Sequence, residues 1–514
     1  MRRALGLILV TVGCAAETAK VVLESASVDA VEVVADLGSS SDAEPVADAA
    51  SSQPKGLPVL HAPDLAAAAR GRTLFETDWP GKGIFPELAL RNLYIAWLAP
   101  SDFNDVLALY EYVTKSDVYW KAFRERYGFI AREGKGSELP VGFRASKEGT
   151  VSVDCLVCHA ARIPTGTVVG TGNTRIDLQG LYDELRELPA AVQKLRQKPW
   201  PEPYKSLLDA IPVPTEAPTL PFMQDVTGAA GHTDAMGFSM HLAALTAGKD
   251  PAQYHTKMGY QDAPAWWTLK YRDRRYWDGS GHTGGYRTMM GTLLGLGLTP
   301  AEAGAVEARF GDLEHHLMTL EAPPWPKEYP APDAAHVEAG RAVFVAECAS
   351  CHGTYEGTQR GYTDTIIPAD DVGTDPLRAK GFGEAEVALV NGLTWDVDHP
   401  MTATGGYLAP PLAGVWATAP YFHNGSVPDL RGVLVPAERP ARWRRLGEDL
   451  AAYDPERVGW RVDAGGDGPT DPKTVEGRRV IDTARPGLSR EGHVYGGALT
   501  EAQRSALLAY LKML

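Results

Sequence analysis

Two pentapeptides carry the most legible chemistry in this chain. Cys155-Leu-Val-Cys158-His159 and Cys348-Ala-Ser-Cys351-His352 each set two thiols three residues apart and an imidazole directly after the second. That spacing suits covalent attachment of a c-type haem: both thiols reach the vinyl groups on one porphyrin edge, and the histidine binds iron from the proximal side. The rival reading is a four-cysteine zinc site made from two CxxC halves. It gives neither histidine a role and does not explain why both follow the second cysteine. The fifth cysteine, Cys14, lies near the N-terminus, so no thiols remain for structural disulfides.

The totals frame these motifs. A length of 514 residues points to two or three domains, and one haem per domain fits that count. A net charge of -15 argues against nucleic acid, whose phosphates need clustered Lys and Arg. It favours a basic redox partner instead. Mean hydropathy is -0.20, and nothing beyond the N-terminus competes for a membrane span.

Met1-Arg2-Arg3 followed by apolar Ala4 to Val12 reads as a signal peptide over residues 1–16, too short to cross a bilayer. The expected location is outside the cytoplasm, in a periplasm or on a membrane facing it. Thr11-Val12-Gly13-Cys14 resembles a bacterial lipobox, which would make Cys14 a lipid anchor; cleavage near Ala16 or Ala19 is the alternative. Residues 17–56 hold eight acids, two lysines and no aromatic ring. Such a stretch buries too little to fold and reads as a disordered acidic linker.

The elements that position the motifs are mostly helical. Pro332-Asp333 caps a helix on which Val337, Gly340, Phe344 and Val345 recur near helical spacing before Cys348. Thr500-Glu501-Ala502-Gln503 is a capping box opening a terminal helix with an apolar face of Leu507, Leu508, Leu511 and Leu514. Thr299-Pro300-Ala301-Glu302 opens another helix, expected to run to about Leu320, and Ala322 to Pro332 is a proline-rich linker. The expectation is a mainly α protein with two haem domains, 57–335 and 336–514, the first enlarged by loop-rich insertions. Residues 437–490, rich in Arg, Gly, Asp and Pro, form an insertion with no readable motif.

The segment Ala409-Pro-Pro-Leu-Ala-Gly-Val-Trp-Ala-Thr418-Ala-Pro420-Tyr-Phe-His423-Asn-Gly-Ser426 resembles the one that follows the second haem in dihaem cytochrome c peroxidases and MauG-type enzymes. Trp-Ala-Thr-Ala-Pro-Tyr with His-Asn-Gly-Ser-Val-Pro is most similar to the RoxA-like branch, which includes haem-dependent rubber oxygenases. Gly172-Asn173, Ile176-Asp177-Leu178-Gln179, Ala263-Pro264-Ala265-Trp266-Trp267 and Trp277-Asp278-Gly279 are similar to the same branch. The resemblance implies two cytochrome c-like folds, with Gly340-Arg341-x-x-Phe344 leading into the second.

It also implies the iron ligands. The distal ligand of the second haem lies shortly before the last helix in those families, which here gives His493 opposite His352; His423 is the runner-up, placed beside the haem rather than on its iron. Between Ala160 and Asn173 no histidine occupies the place of the peroxidases' distal ligand. The haem of His159 is therefore expected to be open, as in MauG-like enzymes, with His232, His241, His255, His282, His315, His316, Met236 and Met240 as the remaining candidates for its sixth ligand. Trp266, Trp267 and Trp277 either lie between the haems, line the distal pocket or pack a core. Asn173, Thr418 and Pro420 stand where the family holds a calcium ion, and such oxygen ligands suit that ion.

Two functions follow. One is an oxidoreductase in which electrons pass through a bis-histidine second haem to a first haem that activates peroxide or dioxygen, with a small redox protein as electron donor or acceptor. The other is an electron-transfer cytochrome with both irons six-coordinate.

Overall fold

The computed structural model describes residues 57–514 except 84, 99–111, 113–114, 133–138, 200–201, 203–204, 207–208, 210–228, 234, 256–258, 356–360 and 466–470. The expected leader, Cys14 and the expected acidic linker lie outside the described residues. Helix outweighs strand, and the fold is mainly α. Seven helices matter for the site: α1 (Leu65–Glu76), α2 (Leu178–Arg196), α3 (Ala235–Thr246), α4 (Glu307–Leu317), α5 (Ala334–Glu347), α6 (Glu384–Asn391) and α7 (Glu501–Leu511). Among the described residues no helix is long and apolar enough to cross a membrane.

The expected caps are present. Asp333 accepts from the His336 amide at the start of α5, and Thr500 and Gln503 form the reciprocal box that opens α7. The helix expected from Thr299 to about Leu320 is two pieces, Pro300–Ala305 and then α4, parted at Val306. Gly304, a poor helix former, lies two residues before the break.

Two helix pairs share one construction. In α5 and α7 the backbones approach so closely that a Cβ at Gly340 would lie 1.9 Å from the Ala506 carbonyl oxygen. Phe344 packs on Tyr510 at 5.3 Å beside it, whereas Val345 points to solvent. Fully buried Leu507 in this contact contributes about 1.5–3 kcal/mol through removal of its side chain from water. Helices α1 and α4 repeat the arrangement: a Cβ at Gly71 would lie 2.0 Å from the Asp312 carbonyl oxygen, and Phe75 follows four residues later.

The cores draw on both sides of residue 335. Trp266, Met236, Met240 and Phe310 share one core with Phe382, Val390 and Trp395 of α6 and its flanks. Trp267 joins Phe344, Trp416, Leu507 and Tyr510 in another. A third packs α2 under Trp120 and Phe123 and takes in Val475 from the insertion.

The insertion has its own small sheet, in which β1 (Arg442–Arg445) lies between β2 (Val462–Ala464) and β3 (Ile481–Asp482), antiparallel to both. Trp443 pairs with Ala464 and Ile481 in register and donates from its indole to the Ser426 carbonyl at 2.9 Å. That bond ties the sheet to the His423–Ser426 segment.

Candidate functional site

Each CxxCH motif is a short helical turn: Leu156–His159 in the first and Ala349–His352, continuing α5, in the second. A hairpin of β-strands Ala160–Ile163 and Gly166–Val169 follows the first turn, and the Gly170 amide returns to the His159 carbonyl at 2.7 Å. The chain then meets residues 263–266: the Trp266 amide donates to the Gly170 carbonyl at 2.7 Å. Only glycine fits at 172, where a Cβ would lie 2.1 Å from the Ala263 carbonyl oxygen.

The two histidines are oriented alike. His352 Nδ1 donates to the Pro410 carbonyl at 2.8 Å, which leaves Nε2 free to bind a metal. His159 Nδ1 is buried without a well-formed hydrogen bond, with the Pro264 carbonyl beside it. Both prolines follow an alanine, Ala263 and Ala409. Burial pushes the His159 imidazole down to about 3, so the ring is neutral and its lone pair available.

A large cavity opens beside the second motif. Cys348, Cys351 and His352 form one side, His493 faces them, and Leu408, Leu507 and Leu511 are among its apolar walls. The rings of His352 and His493 stand 6.2 Å apart between centroids. His493 Nδ1 is buried with no partner, and burial together with nearby His352 pushes its pKa down to about 4.

His493 is held by backbone contacts rather than by its own side chain. Its amide donates to the Val372 carbonyl at 2.7 Å, and its φ is 44°, in the left-handed region. The loop before it is fixed by the His-Asn-Gly-Ser segment: Asn424 donates to the Gly487 and Ser489 carbonyls at 3.1 Å each, and Ser426 donates to Ser489 at 3.1 Å. That fixation gives the motif a physical role.

His423 lines the same cavity but is engaged elsewhere. Its ring stacks on Tyr407 at 4.1 Å with Nε2 3.1 Å from the Tyr407 hydroxyl, and burial pushes its pKa down to about 3.

The tryptophans divide. Trp266 stacks on the His159 ring at 4.2 Å and is backed by Phe75 at 5.9 Å. Trp267, fully buried, points into the other core and donates to the Ala413 carbonyl at 2.8 Å. Trp277 lines the cavity beside the second motif and donates to the Asp262 carbonyl at 2.9 Å. Pro264 and Ala265 also line that cavity, so a single stretch of chain separates it from His159.

Of the other histidines, His232 meets the Ala229 and Asn424 carbonyls with its two ring nitrogens, and His315 accepts from the Asp64 amide at 3.2 Å. His316 meets the edge of Phe75 at 6.2 Å, and His282 is paired into a short hairpin with Arg274. His255 lies on a single helical turn, Ala252–His255. His241, Met236 and Met240 are buried on α3, the two methionines in the core that also packs Cys155 and Leu156.

At the expected calcium position, Asn173 donates to the Gly128 carbonyl at 2.8 Å and its Oδ1 accepts from the Arg175 amide at 3.2 Å. Thr418 donates to the Val415 carbonyl at 2.9 Å. The Arg445 guanidinium reaches the neighbouring Thr174 hydroxyl and, at 3.5 Å, the Ala419 carbonyl just before Pro420. A fixed positive charge therefore already lies beside these residues. Among the described residues no cluster of three or more His, Cys, Asp or Glu could hold a metal ion.

Sequence reasoning missed two features. Gly71-Arg72-x-x-Phe75 repeats Gly340-Arg341-x-x-Phe344 and was legible as an internal echo. Arg439, in the unread insertion, bonds to the carbonyls of Arg490, Gly492 and His493, and no local pattern signals this.

A CxxCH turn at the end of a helix, crossed by a terminal helix at a glycine and with its histidine tied to a proline carbonyl, is an arrangement that suits a covalently attached haem. Residues 406–444 match a family model described as RoxA-like, cytochrome c-like, which supports a RoxA-like cytochrome with covalently bound haem. The chain is also similar to two uncharacterized proteins of Sinorhizobium fredii. It is 29% identical to y4iJ over 39% of this chain and 42% of that protein. It is 30% identical to y4iM over 39% of this chain and 50% of that protein. The chain thus spans at most half the length of these relatives.

Proposed function

We propose that this is an exported dihaem c-type cytochrome acting as an oxidoreductase. Cys155, Cys158 and His159 would hold one haem, and Cys348, Cys351, His352 and His493 the other. When bound, the haems supply one-electron chemistry and, at an iron with a free position, activation of peroxide or dioxygen. The protein's part is to hold both irons, exclude water and separate the two environments.

The observation that carries the reading is the facing pair His352 and His493. Two imidazole nitrogens each about 2 Å from one metal ion put the ring centroids about 6 Å apart, close to the 6.2 Å between these rings. This supports a closed second haem suited to passing electrons. His159 is backed by Trp266 on its flank, and the candidates His232 and His315 are engaged with backbone groups elsewhere. That supports an open first haem. The single stretch of chain from Pro264 to Trp267 supports short-range electron passage between the two. The net charge of -15 and the exposed Val494 and Tyr495 beside His493 support docking of a small basic electron carrier.

A pyridine haemochrome spectrum of the purified holoprotein should give two c-type haems per chain. EPR should show one low-spin and one high-spin ferric signal, with carbon monoxide taken up by one haem of the reduced protein. Only low-spin signals without ligand uptake would establish the electron-transfer cytochrome instead, and fewer than two haems would defeat both readings.

A further inference from the structure

We infer that Arg439 is the positioning residue for the second haem: its guanidinium fixes the loop that presents His493 and places a buried positive charge beside that haem. The inference rests on the reading of His493 as an iron ligand.

A guanidinium has five N–H donors, and Arg439 spends all five on backbone carbonyls. Nε donates to Gly432 at 2.8 Å, Nη1 to Arg490 at 2.6 Å and Gly492 at 2.8 Å, and Nη2 to Val433 at 3.1 Å and His493 at 3.2 Å. No donor is left for a carboxylate. The side chain is 4% exposed and lies over the Phe422 ring at 5.0 Å, while Phe422 stands 6.0 Å from the His493 ring.

The loop needs such a clamp. Gly492 and His493 are successive residues at positive φ, 80° and 44°. For histidine that conformation is unfavourable and persists only where the surroundings impose it. Arg439 bonds to three carbonyls of this short run, and Gly373 packs so tightly that a Cβ at Gly492 would lie 2.2 Å from its carbonyl carbon. His493 contributes its ring to the site while Arg439 holds its backbone.

The charge has a separate consequence. Reduction lowers the positive charge on an iron, so a cation buried close by favours the ferrous state and raises the reduction potential. Lysine would keep the charge but has only three donors and no planar fork. Positioning and charge can therefore be separated.

The test compares Arg439→Lys, Arg439→Met and His493→Ala in the dihaem holoprotein, with haem content, EPR, carbon monoxide uptake and potentiometric titration as readouts. Arg439→Lys should keep the midpoint of the low-spin haem but convert part of its signal to high spin and admit carbon monoxide. Arg439→Met should also lower the midpoint, by an amount on the order of 59 mV, a tenfold change in the ferric to ferrous ratio for one electron. If Arg439→Met fails to load two haems, Arg439→Lys decides. Wild-type spin state and carbon monoxide uptake in Arg439→Lys would overturn the inference while His493→Ala becomes high-spin. A low-spin second haem in His493→Ala would overturn the ligand reading itself.

Discussion

Arg478 and Asp177, 301 positions apart in sequence, form a buried ion pair at 2.9 Å and fasten the insertion to the turn that opens α2. Their side chains are 1% and 3% exposed. Val475 enters the α2 core beside them, and Arg479 donates to the Glu125 and Arg126 carbonyls. Removing one partner strands the other charge, so Arg478→Met should cost about 3–5 kcal/mol. Denaturant unfolding followed through the haem absorbance will measure it. The double variant Arg478→Met with Asp177→Leu should be less damaging than the single one.

The helix crossings give a second expectation. Glycine to alanine inside a helix usually gains about 1 kcal/mol, and Gly304, with nothing within 4 Å of a Cβ, should behave that way. Gly71→Ala and Gly340→Ala should instead destabilise by about 1–3 kcal/mol, because the added methyl meets backbone atoms near 2 Å. Thermal unfolding of the three variants checks the contrast in sign.

Trp266 and Trp267 should separate by readout. In the proposed dihaem holoprotein, Trp266→Leu removes the ring stacked on His159 and should change the EPR signal of the first haem while leaving the second unaltered. Trp267→Phe leaves the Ala413 carbonyl without its donor. It should lower stability by about 1–3 kcal/mol with both haem spectra retained.

Acid should loosen the insertion through Glu438. Arg431 at 2.7 Å, and after it Arg457 at 2.8 Å, hold this carboxyl down at about 2, below its ordinary 4.5. A depressed carboxyl stabilises the fold above its unfolded pKa, and the contribution disappears as pH falls through the folded value. Unfolding free energy measured from pH 5 down to pH 2 should therefore fall less steeply in Glu438→Gln, by a modest amount that salt reduces further, since the side chain is 32% exposed.

What the sequence made legible was local. The CxxCH motifs and the caps at Asp333, Thr299 and Thr500 are written within a few consecutive residues, and the structure carries all three caps. The resemblance put His493 opposite His352, which neither spacing nor hydrophobic period could do. Arg439 stayed hidden because its partners are backbone carbonyls, which every residue has, lying up to 54 positions away. The Trp266–Trp267 division escaped for a related reason: adjacent side chains on a tight 3-10 turn can enter different cores, and an aromatic pair shows nothing of which ring goes where.

The core that packs Cys155 is completed by Phe382, Val390 and Trp395, all beyond the second CxxCH motif. A chain made from its N-terminus thus presents Cys155 and Cys158 long before their surroundings can close. The walls around Cys348 and Cys351 draw on Leu408, His493 and finally Leu507 and Leu511 of α7, so the core of Cys155 is complete in the chain before the second site is. The order in which the two sites can be sealed is built into the threading of the chain and is independent of the affinity of either site.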